Sequence, residues 1–152
     1  MAIEQDLSKT IGLIYDCALD PSAWPAALGA MRARTDFATG VLDLMTLPEG
    51  KSLLAVSDGI PEPWLSRQTQ YGLEAVRMWG GHARMLSYPL EEPVVLSQVN
   101  PDGLRDNRFV TDWSEPQGLV DTVGIALFRD PKNIGYLGFG RHRDAGPAAG
   151  QQ

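Results

Sequence analysis

The strongest constraint on this fold is a pair of alternating segments near the C-terminal end. Across 119–128, Leu119, Asp121, Val123, Ile125 and Leu127 fall on one face, and Val120, Thr122, Gly124, Ala126 and Phe128 on the other. That two-residue period belongs to a strand. The sequence "RDPKN" follows, with Pro131 placed as the second residue of a tight turn, and residues 133–141 return as the partner strand. A lone hairpin is marginal in water, so further strands and a covering layer must come from the rest of the chain.

Upstream segments supply both. Leu7, Ile11, Ile14 and Ala18 recur at helical spacing and predict an amphipathic helix over 5–19. Asp20-Pro21 reads as a cap followed by a first-turn proline. Trp24, Leu28 and Met31 then mark one face of a second helix ending near Arg34. Residues 38–47 and the segment "SLLAVS" read as two strands joined by the turn "LPEGKS". Trp64, Gln68 and Tyr71 stand at i, i+4 and i+7 and predict a helix over 61–73, with another over 74–86 interrupted at Gly80-Gly81. A short strand is expected at 94–97, and Phe109 and Trp113 lie one helical turn apart. Hairpins without regular strand–helix alternation predict an α+β fold: an antiparallel sheet of about five strands with helices packed on it.

The chain has 152 residues, 43% of them apolar and 21% charged, which suits one globular domain. Its formal charge of −6 argues against direct contact with nucleic acid, where Lys and Arg must neutralise phosphates. The same charge disfavours an anionic membrane surface. The acidic start lacks the basic and apolar regions of a signal peptide, and no apolar run approaches the roughly 18 residues of a membrane helix. The single cysteine, Cys17, precludes an internal disulfide, which fits a reducing cytoplasm.

The stretch "WSEPQGLVDTVGIALFRD" (113–130) sets a large aromatic beside an abrupt change of direction. Gly118, lacking a Cβ, permits a sharp reversal. Pro116 is expected to stop the preceding helix, and Trp113 to cover an end of the sheet. Together with "IYDCALDPSAWPAAL" and "GYLGFGRHR", this stretch resembles the N-terminal PAS/GAF-like sensor region of LuxR-type helix-turn-helix transcriptional regulators, over about residues 10–144. The resemblance implies a sensor domain over 1–144 and a linker or frayed tail over 145–152, with the DNA-binding domain absent from this chain. It implies a cytoplasmic homodimer, with helix 5–19 as the dimer element, and a small organic ligand held between sheet and helices. DNA would then be reached only through the other domain.

Candidate ligand contacts follow from the aromatic content. Trp64 and Tyr71 stand where one lactone-binding subfamily carries its Trp and Tyr. The Asp-Pro that normally follows is replaced by Glu74, Ala75 and Val76, which argues against a lactone signal. Phe109 and Trp113 would form a wall or lid of the same space, or simply complete the core. Gln68 and Gln117 would add a few polar groups, the usual character of a small-molecule site. Asp121 is a carboxylate among apolar residues; it would bond backbone at the "PQG" turn, contact ligand, or face solvent.

Other chemistry is weakly represented. His82 and His142 lack metal-ligand spacing, and no cofactor or metal is expected. No G-x-S-x-G elbow occurs. Gly135, Gly138 and Gly140 lie within a strand, not in a phosphate loop. Cys17 reads as a buried thiol. Two further readings stay open: a dimerisation or interaction module with a closed core, and a small α+β enzyme using Asp43 or Asp121 with His82.

Overall fold

The computed structural model describes residues 2–145. Helix α1 (Ala2–Leu19) leads through a 3-10 turn at Pro21–Ala23 into α2 (Trp24–Thr35). The hairpin β1 (Thr39–Thr46) and β2 (Ser52–Asp58) follows. Three short helices come next: α3 (Trp64–Gln68), α4 (Gly72–Met78) and α5 (His82–Met85). Strand β3 (Pro93–Val95), helix α6 (Leu96–Val99) and a π-helix at Phe109–Ser114 lead to the long hairpin β4 (Leu119–Asp130) and β5 (Asn133–His142). The sheet order is β2-β1-β5-β4-β3, and every neighbouring pair is antiparallel. The expected α+β fold with a five-stranded antiparallel sheet is therefore observed. The expected tail lies, from residue 146 onward, outside the described residues.

The two sheet faces carry different layers. On one, α2 packs against β1 and β2. Arg32 anchors it there: its Nε and Nη2 reach Asp58 Oδ2 at 2.8 and 2.7 Å, and its Nη1 donates to the Ala38 carbonyl at 2.9 Å. The N-terminal cap also forms as expected, with Ser22 N donating to Asp20 Oδ1 at 3.1 Å. On the other face, Val41, Ile60, Tyr71, Met78, Leu96, Phe109, Val110, Trp113 and Leu119 form one apolar core. A second cluster, built on Met45, Val76, Met85, Ala126 and Ile134, continues it under α5.

Several local expectations are corrected. Leu7 and Ile11 are not the buried stripe of α1; they stand 46% and 44% exposed, while Thr10 and Cys17 face inward. The side chains of Ile14 and Ala18 lie outside the described ones. The helix expected over 61–73 breaks after Gln68 into a 3-10 turn at Thr69–Tyr71 and restarts at Gly72. The cause is close packing: a Cβ on Gly72 would sit 2.2 Å from the Gly50 carbonyl oxygen, so the β1–β2 turn lies directly on the helix start. The strand expected at 94–97 ends at Val95, because Ser97 N donates to the Asp121 carboxylate (3.1 Å) and not to a neighbouring strand. The break at Gly80-Gly81 is observed, with φ of +102° and +94°.

The stretch 113–118 is also partly corrected. Pro116 does not stop the helical path. It sits in a 3-10 turn at Glu115–Gln117 that continues the π-helix, at a position where its missing N–H costs nothing. Gly118 makes the reversal, at φ +79° with its N–H on the Glu115 carbonyl (2.9 Å). A Cβ there would meet His142 Nε2 at 2.4 Å. The turn at Pro131 forms as expected between the paired residues Asp130 and Asn133.

Candidate ligand cavity

A cavity of about 120 Å³ lies between the sheet and the helical layer. Its floor comes from alternate positions of the strands: Val41, Asp43 and Met45 of β1, Tyr136, Gly138 and Gly140 of β5, and Thr122 and Gly124 of β4. The space exists because glycines meet there. Gly124 and Gly138 are direct cross-strand partners, and Gly140 pairs with Thr122. No side chain rises from either member of the Gly124–Gly138 pair. The wall and roof are Gln68, Tyr71, Ala75, Met78, Trp79, Phe109 and Trp113.

The roof is held by specific bonds. Asn107, buried, caps the π-helix: its Oδ1 accepts from Phe109 N at 2.9 Å, and its Nδ2 donates to the Glu74 carbonyl at 2.8 Å. That fixes Phe109 and Trp113 against α4. The two rings stack at a centroid distance of 4.8 Å, and Tyr71 packs on Phe109 at 5.8 Å. A π-helical turn places successive side chains differently from an α-helix and recurs at functional sites.

The polar part of the floor is Asp43. Its Oδ1 accepts from Ser52 Oγ at 2.7 Å and its Oδ2 from Tyr136 OH at 3.2 Å; all three side chains line the cavity. Burial pushes the Asp43 carboxyl above its ordinary value, against the downward pull of those two hydrogen bonds and of the Leu44 backbone N–H. Burial, reinforced by the neighbouring Asp43 charge, pushes the Tyr136 phenol well above its usual value. Among the described lining residues Asp43 is the only charged type. Trp79, Gly124 and Tyr136 also line a second, smaller cavity of about 40 Å³, closed by Met85, Tyr88, Val94, Ala126 and Ile134. The Trp79 ring thus stands between the two spaces.

The sequence-predicted site residues divide. Gln68, Tyr71, Phe109 and Trp113 line the cavity together. Trp64 and Gln117 support it from behind: the Trp64 carbonyl accepts from Trp113 Nε1 at 2.8 Å, and Gln117 Nε2 donates to the Trp113 carbonyl at 2.9 Å. Asp121 is elsewhere. A bulge between Leu119 and Asp121 shifts the phase of β4, so Leu119 faces the cavity with Thr122 and Gly124 while Asp121 does not. Asp121 is 5% exposed and receives Ser97 Oγ (2.5 Å), Ser97 N (3.1 Å) and Thr122 N (2.9 Å). Its backbone bonds are thus at α6 and to its own neighbour in β4, not at the "PQG" turn. His82 sits outside both cavities, 2.7 Å from the Pro131 carbonyl, to which its ring N–H donates at the β4–β5 turn. The acid–base pairing of His82 with Asp43 or Asp121 therefore does not form. Asp43 and Asn107 are the site residues that pattern reading did not assign to a ligand cavity, whereas Trp79 was among the aromatic residues expected to line an apolar pocket, and it does. Asp43 carried one signal, a carboxylate in phase with Val41 and Met45.

No group of three or more His, Cys, Asp or Glu residues suited to a metal ion occurs among the described residues. No described helix is long and apolar enough to cross a membrane.

No family model and no curated protein matches the chain. Solved structures do. The LBD domain of VqsR from Pseudomonas aeruginosa aligns with a TM-score of 0.62 at 14% identity, covering 92% of this chain and 80% of that one. The N-acylhomoserine lactone dependent LuxR family transcription factor CepR2 from Burkholderia cenocepacia aligns with a TM-score of 0.60 at 19% identity, covering 90% and 79%. The shared feature at these identities is the fold: the chain has the α+β architecture of LuxR-type ligand-binding domains.

Proposed function

We propose that this chain is the ligand-sensing domain of a LuxR-type bacterial transcription regulator. It takes a small organic molecule into the cavity between sheet and helices and passes the resulting population shift to a helix-turn-helix DNA-binding domain. It performs no catalysis and needs no cofactor. The observation that carries this reading is the cavity: glycine-floored, walled by Tyr71, Trp79, Phe109 and Trp113, and given polar character at a few points. A closed-core dimerisation module would leave no such space. The fold shared with VqsR and CepR2 supports the same reading.

The domain acts in the cytoplasm as a homodimer. The exposed Leu7 and Ile11 on α1 support pairing with a second copy. The net charge of −6 leaves DNA contact to the other domain. Native mass spectrometry of the purified chain, compared with the same sample denatured, tests the proposal. A small molecule that leaves on denaturation is the expected result. An apo mass that no small aromatic compound shifts would overturn it.

A further inference from the structure

Resting on that reading of the cavity as a ligand site, we propose that its ligand is a compact amine whose N–H-bearing, cationic head is held by Asp43. The first observation is charge. Asp43 is the only ionisable carboxylate among the described lining residues, and no Lys, Arg or His side chain lines the cavity with it. Its recorded side-chain donors, Ser52 Oγ and Tyr136 OH, are both neutral hydroxyls. A carboxylate offers about four acceptor sites, so room remains for a donor arriving with the ligand. A cation supplies the compensation that a half-buried carboxylate otherwise lacks.

The second observation is the wall opposite. Tyr71, Trp79, Phe109 and Trp113 line it, with Phe109 stacked on Trp113. Ring faces attract ammonium groups, and an anion has no matched donor set here. The third observation is size. About 120 Å³ is slightly less than the roughly 150 Å³ of an engineered cavity that holds benzene. The part of the occupant held inside is therefore one small ring or a branched chain of similar bulk.

Three probes of nearly equal bulk separate the possibilities: benzylamine, toluene and benzoate, each titrated by calorimetry into the unaltered chain and into Asp43→Asn. Benzylamine should bind more tightly than the other two and lose about tenfold or more in Asp43→Asn, the scale of one charge-assisted hydrogen bond. Toluene should be indifferent to the substitution. Equal binding of toluene and benzylamine, unchanged in Asp43→Asn, would overturn the amine inference and leave the cavity standing as a ligand site. Failure of all three probes to bind would overturn both. Should Asp43→Asn not fold, amide NMR shifts decide in the unaltered chain. Benzylamine shifts centred on Asp43, Ser52 and Tyr136 support the assignment, and shifts elsewhere overturn it.

Discussion

The indole Nε1 of Trp113 donates to the main-chain carbonyl of Trp64 at 2.8 Å, tying the π-helix to the first turn of α3 across 49 residues of sequence. The bond brings two separate roof segments onto one cavity. Trp113→Phe keeps an aromatic ring but loses the bond and part of the buried indole surface, and should cost roughly 1–3 kcal/mol. Trp113→Ala should cost about 3–5 kcal/mol, because it also empties a buried site. Urea denaturation followed by circular dichroism reads both.

Asp121 and Ser97 form a second tie, away from the cavity. Asp121→Ala strands the Ser97 and Thr122 N–H groups in a buried setting and should destabilise the chain by roughly 1–3 kcal/mol. Toluene affinity should stay within about twofold of the unaltered chain, since a change below ~0.4 kcal/mol is expected at a site that touches no ligand. A large loss of affinity in the calorimeter would return Asp121 to the ligand site.

The pH dependence of Asp43 has a definite sign. Its folded-state pKa is raised by burial, so the folded chain holds the proton more firmly than the unfolded one. The contribution to stability is complete below the unfolded pKa and is lost as pH rises through the folded value. Its charged form faces the hydroxyls of Ser52 and Tyr136 and the Leu44 backbone N–H, none of them charged, and Tyr136 stays neutral throughout because its own pKa is raised. Asp43→Asn should therefore gain stability relative to the unaltered chain at neutral pH, with the difference shrinking as pH falls into the carboxylate range. Paired urea titrations at pH 7 and pH 4 measure it.

Trp79 separates the two cavities, and its ring is the group a Gly124 Cβ would meet, at 3.3 Å. Trp79→Ala should join them into one larger space at a cost of about 3–5 kcal/mol. Indole, too bulky for the smaller compartments, should then bind where it did not before, as calorimetry would register. Unchanged exclusion of indole would mean that the walls collapse instead.

Gly118→Ala tests the reversal into β4. It places an L side chain at φ +79° and against the His142 ring, and should cost upwards of about 1 kcal/mol. Thermal melts of the two proteins make the comparison.

The parts of this architecture that were legible in sequence are those written in local periodicity. The β4–β5 alternation, the Pro131 turn, the Gly80-Gly81 break and the reversal at Gly118 each depend on neighbouring residues alone. The aromatic set Tyr71, Phe109 and Trp113 was legible as a cavity wall because large rings in separate elements must converge somewhere. Asp121 was misplaced because one bulge after Leu119 reverses the facing of the residues that follow it relative to Leu119, up to a second bulge after Ala126, and nothing in "GLVDTV" marks it. Asp43 was not assigned to the cavity because a carboxylate in an alternating strand looks alike on either face. The site's floor depends on β1 pairing with β5, a contact between residues about 90 apart in sequence. The break of the 61–73 helix was illegible for the same reason: its cause, the Gly50 turn, is distant in the chain.

The facing pair Gly124 and Gly138 sets how readily this cavity can change its size. At Gly50, Gly72 and Gly103 an added methyl would strike main chain, within 2.2 Å of a carbonyl oxygen, and the architecture itself would have to yield. At Gly124 and Gly138 it would meet only the rings of Trp79 and Tyr136, both at 3.3 Å. Those rings border the cavity. Cavity size is thereby uncoupled from foldability: a one-carbon change on the floor retunes which molecules the space admits while the scaffold persists, so chains of this fold can part company over what they hold by single substitutions.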